Sequence, residues 1–332
     1  MKVAVVGAGA MGRNHVRVYR ELSGVEMVAI ADGDAATAVA VAGAFGCEPY
    51  TDHREMLEVA RPEAVSVAVP THAHHQVVLD ALVAGCHVLV EKPIASGLAE
   101  AADMVQVAER AGRLLAVGHI ERYNPAIVEL KRRLEAGELG RTFQIHARRL
   151  GPFPARVRDV GVVIDLATHD IDIMRYLSGS EAVRVYAETK REVHTSNEDL
   201  LNGLVRFEND MLGVLEINWL TPTKIRELYV TGERGMFRAD YLTQDLYFFE
   251  NAEVTGVQYE ALSMLRGVSE GAMIRFALQR TEPLRAELEA FVAAAGGEDA
   301  RTVSGRDGLE ALTLALAMIE SANTNRALPM GR

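Results

Sequence analysis

VAVVGAGAMG, residues 3–12, joins a short apolar run to three glycines and decides the fold of the first part of the chain. The apolar run is predicted to be a buried strand, and the residues after Gly12 have a helical pattern. Gly7, Gly9 and Gly12 form a G-x-G-x-x-G motif between strand and helix, and Asp32 follows twenty positions after the motif, where the next strand ends. Such glycines allow a tight turn and a close approach of the backbone to a pyrophosphate, which the helix N-terminus then holds.

The residues of this turn and of the next strand end are therefore candidates for holding NAD. Ala10 and Met11 complete the turn, and the Asp32 carboxylate would accept hydrogen bonds from the adenosine ribose and repel the 2′-phosphate of NADP. Gly33 lets the following loop bend, so Asp34 is a second acid that could reach the ribose. The alternative is a glycine turn beside a surface acid, with no bound cofactor.

Short apolar segments recur over residues 1–120 and alternate with helical stretches. Nearly continuous apolar strands of this kind are typical of a parallel sheet that helices cover on both faces. We therefore predict an α/β fold that begins with a doubly wound, dinucleotide-binding Rossmann domain. The predicted strands lie at residues 3–7, 27–32, 64–70, 87–91 and 114–119.

The pattern changes near Glu121, where apolar and polar residues begin to alternate along segments separated by turn residues. This period of two predicts a large, mostly antiparallel open sheet. We assign residues 121–332 to a second α/β domain for substrate binding and oligomerisation, with a helical C-terminal arm that packs back on the rest. The predicted strands lie at residues 142–150, 183–192, 200–209, 211–220 and 225–233, and the helices of the arm at 284–296 and 307–322.

The composition favours a two-domain enzyme, because 332 residues exceed one ordinary core and 49% of them are hydrophobic. The net charge of −11 argues against nucleic acid and anionic membranes as partners. We find neither a signal peptide nor the roughly 20 apolar residues of a membrane helix, and we expect a cytoplasmic protein. The two cysteines, Cys47 and Cys86, cannot form a disulfide framework.

Three histidines lie in the stretch PTHAHH, which follows the strand predicted at 64–70. Metal is the less favoured interpretation, because His72, His74 and His75 lack the i, i+4 spacing of a zinc pair on a helix. We expect no metal and predict instead that Thr71 caps the next helix. Pro70, Thr71 and His74 would line the cofactor crevice, since ligands of open α/β sheets bind beyond the carboxyl ends of the strands.

The stretch HVLVEKPIA, residues 87–95, ends an apolar strand with Glu91, Lys92 and Pro93. Burying a lysine costs several kcal/mol, about 3 or more, unless it is paired or performs chemistry. Lys92 either extends from the strand to water or acts in the site, where Glu91 and Lys92 would also contact the cofactor.

A polar stripe is predicted on the helix VVIDLATHDIDIMRYL, residues 162–177. Asp165, His169, Asp172 and Tyr176 fall on one helical face, with apolar residues opposite. The stripe is either the solvated side of an amphipathic helix or a histidine that carboxylates orient as a general acid or base. Periodicity alone leaves both interpretations open.

GAGAMG, PTHAH, EKP, GHIERYNP and a D-x-x-x-H-x-x-D spacing occur in an order that resembles the Gfo/Idh/MocA oxidoreductases over essentially the whole chain. The resemblance implies that Lys92 lies at the nicotinamide and the substrate, that His169 faces it, that Asp165 positions the substrate and that the Lys92–Pro93 peptide is cis. It further implies a homodimer or homotetramer formed through the C-terminal sheet. This chain has Gly161-Val162-Val163 where many members have a glycine pair.

The implied reaction is the oxidation of a secondary alcohol, in which a base takes the hydroxyl proton while hydride passes to the nicotinamide. His169 is the first choice for the base, since an unperturbed histidine has a pKa of about 6.5 and Lys92 would have to be neutral. The reverse assignment stays open. A non-catalytic NAD sensor is the alternative class, and the presence of both Lys92 and His169 argues against it.

Arginines without an intervening acid between residues 141 and 158 suggest a phosphate-bearing substrate. Adjacent Arg148 and Arg149 must point to opposite faces of a strand, and an arginine-rich sheet surface or an oligomer contact is the alternative. Together with the resemblance to the family's nucleotide-sugar dehydrogenases, this predicts UDP-N-acetylglucosamine oxidised at C3, or else a free polyol such as inositol. Tyr123 and Asn124 would line the sugar pocket, with Arg148 and Arg156 at the phosphates. The five arginines are Arg141, Arg148, Arg149, Arg156 and Arg158.

Overall fold

The structure is a computed structural model that describes residues 1–154, 160–193, 196–252 and 269–331. The chain forms two compact units, one of Met1–Ile120 with Glu282–Thr313 and the other of Glu121–Thr281 with Leu314–Arg332. The break after Ile120 coincides with the boundary placed from the sequence. Residues 282–313, which the sequence-based division gave to the second domain, lie in the first unit.

The helices of the described chain follow the predicted pattern, including the two helices of the C-terminal arm. In chain order they are α1 Ala10–Glu21, α2 Ala35–Phe45, α3 His53–Ala60, α4 Thr71–Val83, α5 Leu98–Ala111, α6 Pro125–Glu135, α7 Thr168–Ser178, α8 Pro283–Ala295 and α9 Gly305–Thr324. A 3₁₀ turn at Ile120–Tyr123 precedes α6, and a π-helical turn at Val163–Ala167 leads into α7. In the described part of the chain, no helix has the length and apolar character that a membrane span requires.

The first unit is built on a parallel sheet of six strands in the order β3-β2-β1-β4-β5-β6. This confirms the predicted Rossmann-type, doubly wound fold, and the five predicted strands are present. The additional strand β3 is three residues long, contains Pro49 and pairs only at the sheet edge, so it has no periodicity to detect. The strands are β1 Lys2–Val6, β2 Glu26–Ala31, β3 Glu48–Tyr50, β4 Ala64–Val67, β5 His87–Glu91 and β6 Leu115–Gly118.

The core of this unit contains the strand residues that the apolar runs predicted. Val3, Val5 and Ile30 are fully buried, with Tyr19 of α1 and Phe291 of α8 in the same cluster. Helix α8 therefore supplies core residues to the first unit, which explains why the segment beginning at residue 282 belongs to that unit.

The second unit contains a sheet of nine strands in the order β14-β13-β12-β11-β7-β10-β9-β8-β15. Among the described strands of this sheet, only β7 and β10 pair in parallel, so the predicted open, mostly antiparallel sheet is confirmed. The strands are β7 Thr142–Pro152, β8 Ala182–Lys190, β9 Leu200–Phe207, β10 Leu212–Asn218, β11 Leu220–Gly232, β12 Gly235–Asp240, β13 Asp245–Ala252, β14 Ser269–Arg275 and β15 Leu328–Pro329.

Candidate active site

The glycine-rich turn after β1 has the geometry of a dinucleotide-binding loop. Gly7 has a φ of +99°, and a Cβ on it would lie 2.5 Å from the main-chain oxygen of Ala68. A Cβ on Gly12 would lie 1.8 Å from the main-chain oxygen of Gly7, so both positions require glycine. Nothing lies within 4 Å of the Cβ position of Gly9, and α1 begins after Gly9 without a side-chain cap. The N–H groups of its first turn, which includes Ala10 and Met11, are thus suited to a phosphate group.

The Asp32 carboxylate lies beside this turn at the end of β2. Its Oδ2 accepts a hydrogen bond from Ala8 N at 2.7 Å, and its Oδ1 accepts one from Asp34 N at 2.9 Å. Asp34 is the exposed N-cap of α2 and accepts from Ala36 N at 3.1 Å, so its side chain serves the helix. Of the two acids, Asp32 is therefore the one held at the loop, with lone pairs to spare for a ribose.

A cavity of about 600 Å³ opens beside these residues, and Gly7, Gly9, Asp32, His53 and Pro70 are among its lining residues. The volume lies in the usual range for a small-ligand site. The residues present therefore fit the adenosine half of a dinucleotide. His53, which the sequence did not point to, holds its place through a 2.8 Å contact between its Nε2 and Asp80 Oδ2.

The loop after β4 begins α4 differently from the prediction. Pro70 is the N-cap residue and Thr71 the first residue of the helix, with no side-chain cap, so the prediction that Thr71 caps this helix is wrong. Pro70 has an extended conformation with φ −57° and ψ 144°, and its carbonyl accepts from Ala73 N at 2.8 Å, so the helix starts one residue earlier.

His74 ties two loops of the first unit together. It is 1% exposed, and its Nε2 and Nδ1 lie 2.9 Å and 3.0 Å from the carbonyl oxygens of Val69 and Pro93. Burial lowers the pKa of His74, and the two carbonyls partly oppose that shift. The side chain thus links the loop after β4 to the one that carries Lys92, and it is not placed to bind metal.

Lys92 directly follows β5 and is partly buried. The Lys92–Pro93 peptide is cis, as predicted. Glu91, one residue earlier, points into the unit, where its Oε1 lies 2.9 Å from Nε2 of the fully buried His15. A Cβ on Gly118, the neighbour on β6, would lie 3.1 Å from the Glu91 carboxyl group, which would then have to shift by a few tenths of an ångström. The contact between His15 and Glu91 was not predicted, because it depends on α1 meeting β5.

In the second unit, Asp165 lies in the π-helical turn and His169 on α7, and both are partly buried. No residue from 163 to 178 is exposed, so a solvated side of this helix is not observed. The Asp172 side chain is buried and accepts from Arg122 Nε at 2.7 Å and from Arg122 Nη2 at 2.6 Å. The guanidinium of Arg122 also lies over the ring of Tyr176 at 4.9 Å.

The side chain of Glu198 accounts for the glycine at position 161, which lies just before the π-helical turn in Gly161-Val162-Val163. A Cβ on Gly161 would lie 2.0 Å from Oε1 of Glu198, so any side chain there would displace the Glu198 carboxylate. The same Oε1 accepts from Val163 N at 3.1 Å, and the Glu198 carbonyl accepts from Val162 N at 2.9 Å. Glu198 therefore caps the turn that carries Asp165.

Arg148 and Arg149 point to opposite faces of β7, as strand alternation predicted. Arg149 is 4% exposed, and its Nε donates to Asp170 Oδ2 at 2.6 Å while its Nη1 donates to Glu121 Oε1 at 3.0 Å. On the other face, Arg148 Nε donates to Glu216 at 2.7 Å, and Nη1 lies 3.6 Å from Glu227. Arg148 already has two carboxylate partners and lies on the face away from α7, so the structure lends no support to a phosphate-binding role.

The remaining predicted substrate residues have mixed outcomes. Asn124 is 2% exposed, caps α6 by accepting from Ala126 N at 3.1 Å, and donates to the Tyr241 carbonyl at 3.0 Å. Its amide is engaged at both ends, which argues against a place in the sugar pocket. Tyr123 is partly buried in the 3₁₀ turn. Arg156 and Arg158 lie outside the described residues, and Arg141 is exposed beside Glu233.

The histidines of PTHAHH do not form a metal centre with other described residues. The described residues contain no group of three or more His, Cys, Asp or Glu side chains placed to hold an ion. His75 instead contacts Asp103 at 2.8 Å between Nε2 and Oδ2, and His72 is exposed.

Two family models match this chain, one in its N-terminal part and one in its C-terminal part. Residues 1–119 match the family described as "Oxidoreductase family, NAD-binding Rossmann fold", and residues 127–238 match the "GFO/IDH/MocA C-terminal domain". A UDP-N-acetylglucosamine 3-dehydrogenase of Acidithiobacillus ferrooxidans is 29% identical over 95% of this chain and 95% of its own. Inositol 2-dehydrogenase 2 of Saccharopolyspora erythraea is 30% identical over 99% of this chain and 95% of its own.

The similarity extends to solved structures. The UDP-N-acetylglucosamine 3-dehydrogenase of Acidithiobacillus ferrooxidans superposes with a TM-score of 0.84 at 27% identity, covering 98% of both chains. The fold and the order of the elements are thus shared from end to end with a protein that acts on a nucleotide sugar.

Proposed function

The chain belongs to the Gfo/Idh/MocA oxidoreductase family, and from this premise we propose that it oxidises a ring hydroxyl of a nucleotide sugar. The protein is an NAD-dependent dehydrogenase of CH–OH groups. The preferred substrate is UDP-N-acetylglucosamine, with the 3-keto sugar as product. The observation that carries this choice is the end-to-end similarity, in sequence and in structure, to a UDP-N-acetylglucosamine 3-dehydrogenase.

A free polyol is the second candidate substrate. It is favoured by the 30% identity to an inositol 2-dehydrogenase over 99% of the chain. The two candidates differ in charge, because a nucleotide sugar carries a diphosphate and inositol does not. Binding of the diphosphate needs cationic donors that a polyol site does not require.

We assign the proton chemistry to Lys92 and His169. When bound, NAD accepts the hydride from the alcohol carbon. His169 takes the proton of the hydroxyl group through its imidazole, and Lys92 donates a hydrogen bond to the same oxygen as negative charge develops there. Asp165, one turn before His169, holds the sugar in register. The opposite assignment requires Lys92 in its neutral form.

The cofactor residues divide by the part of NAD that each would hold. The N–H groups at Gly9, Ala10 and Met11 would hold the pyrophosphate, and the open Cβ position of Gly9 leaves room for it. Asp32 receives the adenosine ribose, and Pro70 lines the adjoining cavity. His74 stabilises the loops around this site through its contacts with the carbonyls of Val69 and Pro93.

Asp32→Asn is expected to lower kcat/KM for NAD by about 10- to 100-fold and to narrow the preference for NAD over NADP. The substitution removes the charge that repels a 2′-phosphate and weakens the bonds to the ribose, and the single amide oxygen can accept from only one of the two loop N–H groups. Initial rates with both cofactors measure the effect. Asp34→Asn is the matched control and should leave the preference unchanged. Equal efficiency of the unaltered enzyme with NAD and NADP would contradict the role of Asp32.

The substrate is tested by following NAD reduction against UDP-sugars and free polyols, with the product identified by mass spectrometry. We expect UDP-N-acetylglucosamine to be oxidised at the highest kcat/KM, giving a product two hydrogens lighter. Position C3 is checked by NMR of the product. If myo-inositol or free glucose is oxidised far better than any UDP-sugar, the nucleotide-sugar assignment is withdrawn and the polyol assignment takes its place.

A further inference from the structure

Buried and partly buried arginines in the described chain are almost all paired with acids. With one exception, each has a carboxylate oxygen within 4.0 Å of a guanidinium nitrogen. The exception among the described residues is Arg226, on β11. The paired arginines are Arg17, Arg122, Arg133, Arg148, Arg149, Arg175, Arg206, Arg238 and Arg285.

Arg226 is partly buried, and its partners are main-chain carbonyls. Its Nη1 donates to the Leu150 oxygen at 2.5 Å and to the Ile225 oxygen at 2.9 Å. These two bonds fix the guanidinium in place but supply no negative charge. Among the described residues, Nε and Nη2 have no hydrogen-bond acceptor, so one edge of the planar group remains available for a ligand.

The register of the sheet places Arg226 on the face that also carries the α7 residues. Arg226 pairs with Arg149 across β11 and β7, and paired residues share a face. Arg149 contacts Asp170 of α7 on that face. Lys224, two positions before Arg226 on the same strand, projects to the same side and is exposed. The neighbouring residue on β7 is Gly151, which brings no side chain to this region.

No described carboxylate lies within 4.0 Å of the Arg226 guanidinium nitrogens, although three lie close enough to act on its charge. Burial, and after it the Arg149 guanidinium, lower the pKa of Arg226, and Asp170, Glu121 and Asp165 oppose the shift in part. Two of those carboxylates, Asp170 and Glu121, are already bonded to Arg149. A guanidinium keeps its proton in proteins, so the edge of Arg226 that carries Nε and Nη2, which has no hydrogen-bond acceptor among the described residues, can bind an anion.

We propose that Arg226, assisted by Lys224, is the anion-binding residue of the substrate site and holds a phosphate of the nucleotide sugar. The inference rests on the proposed function and adds a residue that determines specificity. A planar guanidinium edge matches two phosphate oxygens, whereas a neutral polyol would leave the charge unpaired. Arg226 takes the place that the sequence had led us to assign to Arg148.

The test compares binding of UDP and inorganic pyrophosphate to the NAD-loaded enzyme by calorimetry, together with kinetics on UDP-N-acetylglucosamine and myo-inositol. Arg226→Gln is expected to raise the Kd of UDP and the KM of the UDP-sugar by about 10- to 100-fold, with little change in kcat. Turnover of myo-inositol, where present, should be unaffected. Arg226→Lys keeps the positive charge but cannot form two parallel hydrogen bonds to phosphate. Its Kd for UDP should lie between the values of the unaltered enzyme and of Arg226→Gln. Arg238→Gln, on the opposite face of the sheet, is the matched control.

The outcomes separate this inference from the proposed function. If the UDP-sugar is oxidised and Arg226→Gln leaves its KM unchanged, the role of Arg226 is refuted while the function stands. If UDP and pyrophosphate bind in an Arg226-dependent manner but no UDP-sugar is oxidised, the anion site stands and the function fails. Failure of both anions to bind the unaltered enzyme refutes the site. Should Arg226→Gln not fold, Arg226→Lys decides, since unaltered affinity in that variant counts against a bidentate contact.

Discussion

Lys92→Ala and His169→Ala are each expected to lower kcat by about 10²- to 10⁴-fold, the usual contribution of a general acid or base. NAD affinity should stay nearly unchanged, because both side chains act on the alcohol and the glycine turn holds the cofactor. Stopped-flow reduction of NAD gives kcat, and fluorescence titration with NADH gives the cofactor affinity. A loss in kcat with unchanged NADH affinity would show that the side chain acts in the chemical step and is not needed to form the cofactor site.

Two controls sharpen this prediction. His146→Ala removes a histidine from a β7 position with 32% side-chain exposure, and Lys131→Ala removes an α6 lysine that lies over the ring of Tyr176. Neither should alter kcat by more than a few-fold. A Lys92 or His169 variant with near-full activity would exclude that residue from the mechanism. The pH profile distinguishes their roles, since a base must be unprotonated, and loss of the base should abolish the fall in rate at low pH.

The cofactor half of the site could be predicted from the sequence because its parts are local. Gly7, Gly9 and Gly12 lie within six positions, and their strand-turn-helix context is readable from apolar periodicity. Lys92 also stood out, as a charge directly after an apolar strand. The partners that support these residues were not predictable, because His15 reaches Glu91 only after α1 has packed on the sheet.

The substrate half depended more on tertiary contacts. A helical wheel places Asp165, His169 and Asp172 on one face, but it cannot show that Asp172 is buried against Arg122. The π-helical turn also departs from the 3.6-residue period on which the wheel rests. In the same way, alternation predicted that Arg148 and Arg149 diverge, yet only the packing of α7 shows which of them is buried.

The capping role of Asn124 is predictable from local signals alone. Asn124 precedes Pro125 at the start of a helical pattern, and asparagine before proline is a strong N-terminal signal. The resemblance to sugar dehydrogenases implies a binding role for the same residue, and its amide is held at both ends by the cap and the Tyr241 carbonyl.

The buried cluster around Arg149 combines three ionisable groups at the packing of α7 on β7. Burial alone would lower the pKa of Arg149, but Asp170 and Glu121 raise it above the ordinary arginine value. Asp170 is 1% exposed, and the guanidinium of Arg149 also lies 5.2 Å from the ring of the buried Tyr241. Removal of the arginine would leave the Asp170 carboxylate without its bidentate partner in a site closed to water.

Arg149→Met is therefore expected to destabilise the second unit by about 3–5 kcal/mol, the effect of breaking a buried ion pair from one side. Arg148→Met, one residue away on the partly exposed face, should cost only about 1 kcal/mol or less. Trp219, the single tryptophan of the chain, is 3% exposed in the same unit, so its fluorescence during urea unfolding reports on this unit. The double variant Arg149→Met with Asp170→Leu should recover much of the loss, because the buried Asp170 charge is removed and Glu121 keeps partial access to solvent. Equal urea midpoints for Arg149→Met and Arg148→Met would show that the cluster contributes no more than a surface pair.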